Sequence, residues 1–244
     1  MKLNIFIISI FLFACSTKST NNENKTIPIV ANNDTFKPIV ADTTKTEIIE
    51  TFVDSLNIGE KGKYKIELIK HRVLDDTYVI VKFYTKAPTP NGWHIRNTYM
   101  YECDALMGLN PNIADYNNDN FNDITFISAE AARSANEVRR LFVYDDDKQK
   151  LISIVNSQDY PNMLYNKKLN CIDAFLVHGG SSTVFAKIEG DSLKEFASVH
   201  NDNYRTVYEI DESGKETMIR KDKINPENVY IRYSNYKPLE EYKE

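Results

Sequence analysis

Apolar and polar residues alternate along most of the chain after about residue 60, in short runs separated by polar turns. A period of two is the pattern of a β-strand with one buried face, because successive side chains point to opposite sides of the sheet. The alternation predicts strands over Tyr64–Lys70, Tyr78–Thr85, Trp93–Glu102, Asp123–Ser128, Val138–Tyr144, Leu151–Val155, Cys171–His178, Thr183–Ile188, Leu193–Val199, Thr206–Ile210 and Glu216–Arg220.

Short polar connections separate several of these runs, among them Asp145–Lys148, Glu189–Ser192 and Asp211–Gly214. Connections of this length join antiparallel hairpins. Before the strands, Glu47–Leu56 is predicted to form one short helix. The predicted fold class is therefore mostly β, with antiparallel sheets in a β-sandwich or propeller-like arrangement. The chain is too short for a full propeller of several four-stranded blades.

The N-terminal segment has a different pattern. An apolar run from Leu3 to Ala14 is too short to span a bilayer, and Cys15 follows it directly. This arrangement resembles the lipobox of bacterial lipoprotein precursors, in which a small residue precedes a lipid-modified Cys. The resemblance implies a signal peptide over residues 1–14 and lipidation of Cys15. An ordinary cleaved secretory signal, with Cys15 incidental, is the alternative.

Residues 15–46 are rich in Ser, Thr, Asn and Lys and repeat the sequence Pro28–Asn32 at Pro38–Asp42 with one change. We interpret them as a flexible tether, although the Ile-Val pairs could instead add an edge strand. Residues 47–244 are predicted to form the folded, β-rich calcium-binding domain. The expected location is the bacterial cell envelope, lipid-anchored, at the outer membrane facing the periplasm.

Composition excludes few function classes. The net charge of −5 and the lack of a basic patch argue against a nucleic-acid partner. The four His residues show no metal-ligand spacing, and the chain has no Gly-x-Ser-x-Gly, phosphate-binding Gly loop or Cys-x-x-Cys. We therefore predict a binding protein without catalytic residues. A hydrolase with carboxylates that no motif marks is the remaining enzyme hypothesis.

The strongest chemical signal is a loop with an oxygen-bearing side chain at every second residue. Asp115, Asn117 and Asp119 occupy positions 1, 3 and 5, Phe121 can offer a backbone carbonyl at position 7, and Asp123 is at position 9. Ca²⁺ takes six to eight oxygen ligands, and clustered carboxylates repel one another unless a cation lies among them. These five residues are the predicted Ca²⁺ ligands. A solvated Asn/Asp-rich turn without metal is the alternative.

This loop differs from an EF-hand, since Phe126 stands where position 12 needs a bidentate Glu, and a strand follows. It resembles the calcium loops at strand entrances in FG-GAP and related β-propeller repeats. Asn120 replaces the usual Gly at position 6, where a left-handed backbone is needed. Asn tolerates that conformation best after Gly.

A second candidate lies between two predicted strands, at His178, Gly179, Gly180, Ser181 and Ser182. Its simplest interpretation is a tight hairpin turn, in which Gly-Gly supplies conformational freedom. The alternative is an exposed Gly/Ser loop that enters a narrow cleft and presents N–H groups and a Ser hydroxyl to a catalytic carboxylate.

Taken together, the calcium loop, the strand after it and the Gly-Gly-Ser turn, behind a lipoprotein signal, resemble a known class. The members of this class are calcium-binding immunity lipoproteins, which protect bacteria from peptidoglycan hydrolases delivered by type IV secretion systems. Those proteins are similar to periplasmic inhibitors of invertebrate-type lysozyme, which insert a Ser-Gly loop into the enzyme. The resemblance covers roughly Asn110 to Leu193 and implies a lytic cell-wall enzyme as partner, occluded by residues 178–182.

Two further points stay open. A calcium-stabilised envelope interaction module without an enzyme target is the alternative function. Cys103 and Cys171 could form a disulfide in an oxidising compartment, or could pack as small buried hydrophobic groups.

Overall fold

The structure is a computed structural model that describes residues 46–87 and 92–243. The expected signal peptide, Cys15 and the tether up to residue 45 lie outside the described residues. Within the described part, no helix is long and apolar enough to cross a membrane.

The strands are β1 Thr46–Asp54, β2 Tyr64–Val73, β3 Asp76–Lys86, β4 Trp93–Glu102, β5 Asn112–Ala114, β6 Asp123–Ala131, β7 Asn136–Asp145, β8 Lys150–Ser153, β9 Leu164–Asn166, β10 Cys171–Val177, β11 Ser181–Glu189, β12 Ser192–Asn201, β13 Tyr204–Ile210, β14 Glu216–Lys223, β15 Tyr233–Tyr236 and β16 Leu239–Glu241. Short 3₁₀ helices occupy Ser157–Asp159 and Pro226–Asn228.

These strands form antiparallel sheets in which each strand pairs with its neighbour in the chain. Two sheets are four-stranded, with orders β1-β2-β3-β4 and β5-β6-β7-β8. The largest is six-stranded, from β9 to β14 in order, and β15 pairs with β16. The prediction of a mostly β fold built from packed antiparallel sheets is therefore confirmed. Each of the eleven predicted strands overlaps an observed strand, and their ends differ by a few residues.

The sheets pack face to face through separate hydrophobic cores. The first core joins the β1–β4 sheet to the β5–β8 sheet and includes Ile66, Leu68, Val79, Val81, Phe83, Ile124, Phe126 and Phe142. Full burial of such side chains stabilises the fold by about 1.5–3 kcal/mol each. The alternation read from the sequence places these residues on one face of each strand, which is why the two sheets meet there.

The six-stranded sheet is covered on both faces. One face packs on the β5–β8 sheet through Leu141, Val143, Ile172, Ala174, Val184 and Ala186. The other face, which carries Cys171, Phe185, Ala197, Val199 and Val207, packs against Tyr233 of the C-terminal hairpin. Because the side chains alternate, neighbouring residues such as Val184 and Phe185 enter different cores.

The predicted helix over Glu47–Leu56 is wrong, because Thr46–Asp54 forms strand β1. This segment pairs with β2 over Thr46↔Val73 to Asp54↔Ile66, with a bulge at Ile48/Glu50. The Phe52 side chain packs on the first core. Pairing with β2 and burial of Phe52 therefore override the helical spacing of the apolar residues.

The two cysteines are free thiols in the structure, so the disulfide considered from the sequence is not formed. Cys103 packs at the edge of the first core, whereas Cys171 is buried on the face of the six-stranded sheet that packs against Tyr233. Burial raises the pKa of Cys103 to about 11 and that of Cys171 to about 12. Both thiols are the small hydrophobic groups of the alternative interpretation.

Candidate functional site

The acidic loop lies between β5 and β6 and is folded around the side chain of Asp115. Its Oδ1 accepts the N–H groups of Asn118 at 2.5 Å and Asp119 at 3.2 Å, and its Oδ2 accepts the N–H of Asn120 at 2.9 Å. Asn118 and Asn120 have φ values of 62° and 71°. The left-handed conformation predicted for Asn120 is therefore confirmed.

Asp123 closes the loop and is fully buried. Its Oδ2 accepts the N–H of Tyr116 at 2.8 Å, and its Oδ1 accepts the N–H of Tyr144 at 2.9 Å. Burial raises the pKa of Asp123 to about 8; the two N–H groups oppose the rise, and the charges of Asp119 and Asp115 add to it. A cation among these three carboxylates would favour their charged forms.

The other predicted ligands are half-buried and bonded within the loop. Asn117 Nδ2 donates to Asp119 Oδ2 at 2.8 Å, and Asp119 Oδ1 accepts the N–H of Phe121 at 2.8 Å. Among the described residues, no three His, Cys, Asp or Glu side chains converge closely enough to hold a metal ion. The donor chemistry of the loop fits Ca²⁺, but the Asn117–Asp119 hydrogen bond would have to open for their oxygens to face an ion.

The end of the loop is attached to the first sheet. Gly59 N–H donates to the carbonyl of Asn122 at 2.8 Å, and Asn122 Nδ2 donates to the carbonyl of Asn57 at 2.9 Å. The ring of Phe121 contacts Tyr144 edge-on, with the ring centres 5.4 Å apart. The loop therefore joins the first two sheets, so its conformation affects both.

The second predicted element is the turn between β10 and β11. His178 N–H donates to the carbonyl of Gly180 at 2.9 Å, which makes the turn tight. His178 and Gly179 are exposed, whereas Gly180, Ser181 and Ser182 are buried. The expectation of an exposed Ser hydroxyl is therefore wrong, because both Ser residues begin a central strand and point into the protein.

Ser182 lies in a chain of hydrogen bonds between two imidazoles. Gly180 N–H donates to His178 Nδ1 at 3.1 Å, which places the proton of neutral His178 on Nε2, 3.0 Å from Ser182 Oγ. Ser182 Oγ is 2.9 Å from His200 Nδ1, and His200 Nε2 is 2.9 Å from Ser198 Oγ. His178 therefore donates toward Ser182 and does not accept its proton.

Sequence reasoning missed the surface that surrounds this turn. An open concavity of about 550 Å³ is lined by Gly179, Asp202, Asn203, Ile224, Pro226 and Val229. We call this end of the six-stranded sheet, with its three connections at residues 178–180, 202–203 and 224–229, the tip. The signal that could have found it is the strand order, because alternate turns of consecutive antiparallel strands lie at the same end of a sheet.

No family model and no curated protein sequence matches the chain. A solved structure that matches part of the chain is that of a Xanthomonas type IV secretion system related protein, with a TM-score of 0.43 and 8% sequence identity. The match covers 72% of this chain and 98% of that one. At this TM-score and identity, the similarity carries no argument about function.

Proposed function

We propose that the protein is a lipid-anchored, calcium-stabilised binding protein of the bacterial cell envelope that inhibits a lytic cell-wall enzyme by docking its tip on it. The observation that carries this proposal is the tip itself. Two tight turns and a third connection together line this open concavity of about 550 Å³.

Internal hydrogen bonds hold the tip in one shape, which favours binding. Ser181 Oγ donates to the carbonyl of Val229 at 2.5 Å, and Asn201 Nδ2 donates to the carbonyl of Ile231 at 3.3 Å. These bonds fix the third connection to β11 and β12. An ordered surface loses less conformational entropy on docking than a flexible one.

The burial of Ser182 favours binding over hydrolysis. His178, Ser182 and Asp202 are the residue types of a catalytic triad, but Asp202 lies 3.8 Å from His178 Nδ1, and Ser182 is only 4% exposed. Ser182 also receives a hydrogen bond from His178 Nε2 when His178 is neutral. A nucleophile must reach its substrate, which the burial of Ser182 prevents, even though His200 Nδ1 lies 2.9 Å from Ser182 Oγ and can accept its proton. Docking would therefore use the exposed residues His178 and Gly179 together with the residues of the concavity. It would not insert Ser181 or Ser182 into the enzyme.

Calcium has a structural part in this proposal. Asp115, Asn117, Asp119 and Asp123, with the carbonyl of Phe121, would hold Ca²⁺ at the entrance of β6. The ion would neutralise carboxylates that now repel one another, and it would stiffen a loop that joins two sheets. It lies outside the tip, so it would act on stability.

The test is lysis of purified peptidoglycan by a panel of muramidases, with and without the full-length protein. We expect stoichiometric inhibition of at least one enzyme. Gly179→Trp should abolish it without unfolding, since nothing lies within 4 Å of a Cβ added at Gly179. The matched control is Leu106→Trp, at a residue that is 92% exposed in the loop after β4. Full inhibition by the Gly179 variant, or hydrolysis of peptidoglycan by the protein itself, would refute the proposal.

A further inference from the structure

We infer that the concavity at the tip binds a basic side chain, Lys or Arg, of the partner protein. This inference rests on the proposed function and specifies the chemistry of the partner at the same site. The evidence is a carboxylate and three apolar residues that line the same concavity, together with contacts between the turns that fix the carboxylate in place.

The carboxylate belongs to Asp202, whose side chain is 59% exposed. In the described part of the chain, the basic nitrogen within 4 Å of it is His178 Nδ1, at 3.8 Å. That nitrogen accepts the N–H of Gly180 at 3.1 Å, so neutral His178 has no proton to share with Asp202. The negative charge of Asp202 is therefore open to a cation from outside.

The apolar part of the lining comes from Ile224, Pro226 and Val229, and Asn203, next to Asp202 in the chain, adds a polar group. Lys and Arg combine an aliphatic stem with a charged head, so one such side chain can contact the apolar residues and pair with Asp202. An acidic side chain would meet the like charge of Asp202. A purely apolar one would cover a carboxylate without pairing it, which is unfavourable.

The absence of a side chain at Gly179 keeps the concavity open, and the contacts of Gly180 keep it in place. A Cβ at Gly180 would lie 2.2 Å from the carbonyl oxygen of Asn201 and 2.3 Å from Asp202 Oδ1. The two turns are thus in direct contact, and this contact fixes Asp202 relative to Gly179. The net charge of −5 also favours the approach of a basic surface.

The test uses capped tripeptides Gly-X-Gly, with X as Arg, Lys, norleucine or Glu, titrated into the full-length protein and followed by amide NMR. We expect saturable shifts at Gly179, Asp202 and Asn203 with the Arg and Lys peptides. Asp202→Asn should weaken this binding about fivefold, the size expected for a partly exposed ion pair. Asp147→Asn, the same charge change at an exposed turn, should leave it unchanged. Equal shifts with norleucine or Glu, or none at the tip, would overturn the inference.

The lysis assay separates this inference from the proposed function. If an enzyme is inhibited and Asp202→Asn inhibits it equally well, the proposed function stands and the basic side chain is excluded. If the Arg peptide binds at the tip and no muramidase is inhibited, the inference stands and the choice of a cell-wall enzyme falls.

Discussion

The carboxylate of Asp123 accepts the backbone N–H of Tyr144, 21 residues further along the chain, at 2.9 Å. Its second oxygen accepts the N–H of Tyr116. One buried side chain thus holds the start of the acidic loop, the start of β6 and the end of β7 together. A residue predicted only as a metal ligand also connects the backbone of the second sheet.

Asp123→Ala should destabilise the protein even without calcium, because two buried N–H groups lose their acceptor. Each unsatisfied donor costs about 1–3 kcal/mol, so the expected loss in the free energy of unfolding for two donors is roughly 2–6 kcal/mol. Asp123→Asn keeps one acceptor and should lose less. Urea denaturation in chelator measures both variants. A loss below about 0.5 kcal/mol for the Ala variant would contradict this role.

Calcium should raise the thermal midpoint of the protein relative to chelator, and magnesium should raise it less. At a calcium concentration of about 100 times Kd, binding to the folded state alone stabilises by about 2.7 kcal/mol. Asp119→Asn should reduce the shift, since it removes the charge of a proposed ligand. Asp147→Asn makes the same charge change outside the loop and should retain the full shift. An unchanged midpoint on calcium addition to wild type would exclude the site.

Gly180→Ala should destabilise the tip, whereas Gly179→Ala should be tolerated. A Cβ at Gly180 would meet the backbone of Asn201 at 2.2 Å, and nothing lies within 4 Å at Gly179. Overpacking of this kind typically costs about 1–3 kcal/mol. Thermal or urea unfolding of the two variants side by side measures the difference. Equal stability of the two variants would mean that the turns at residues 178–180 and 202–203 can move apart without cost, which contradicts a fixed contact between them.

The contribution of His200 to stability should fall as the pH drops through about 6.5, the usual pKa of histidine. Asp123 contributes with the opposite sign, because its pKa is raised in the folded protein. Burial holds the pKa of His200 below its usual value; Asp202 and Glu216 oppose this and His178 adds to it. His200 of the unfolded chain therefore takes up a proton that folded His200 does not, so this histidine's contribution to the free energy of unfolding decreases at acidic pH.

His71 contributes with the same sign, because burial and the charge of Lys82 lower its pKa. His200→Gln should flatten part of the decrease, and His71→Gln another part. His94→Gln, at an exposed position, is the control. If the free energy of unfolding of the His200 variant depends on pH as steeply as that of the wild type, the role assigned to His200 is contradicted.

Arg232→Met should be strongly destabilising, because it leaves the fully buried carboxylate of Asp173 without its cation. Arg232 Nε donates to Asp173 Oδ1 at 2.7 Å, and Tyr242 Oη donates to Asp173 Oδ2. Breaking such a pair typically costs about 3–5 kcal/mol. A double-mutant cycle with Asp173→Leu, measured by urea denaturation, should show that the double variant recovers part of the loss. A single-variant loss below about 1 kcal/mol would contradict a buried pair.

Most strands could be predicted because a half-buried strand shows alternation in its own sequence. Short strands such as β5, β9 and β16 have only three residues each, too few for a period to appear. The β1 strand was predicted as a helix, since Ile49, Phe52, Val53 and Leu56 have helical spacing. The pairing partner that decides its structure, β2, lies outside the segment itself.

The acidic loop could be predicted for a similar reason, since the interactions that fold it lie within nine residues. The tip could not, because Ser182, His200 and Asp202 come together only through the pairing of β11 with β12. A Gly-Gly-Ser sequence marks a turn but does not say on which side of the sheet its hydroxyl groups lie. That side depends on the register in which neighbouring strands pair, and the sequence of one strand alone does not determine this register.

The consecutive pairing of strands also bears on the order in which the protein folds. Each hydrogen-bonded ladder joins segments that are neighbours in the chain, so every ladder closes a small loop, and loops of this size form with little entropy loss. During synthesis from the N-terminus, the first sheet can be complete before the second has been made, and the second before the third. Assembly would then reduce to docking finished sheets in sequence.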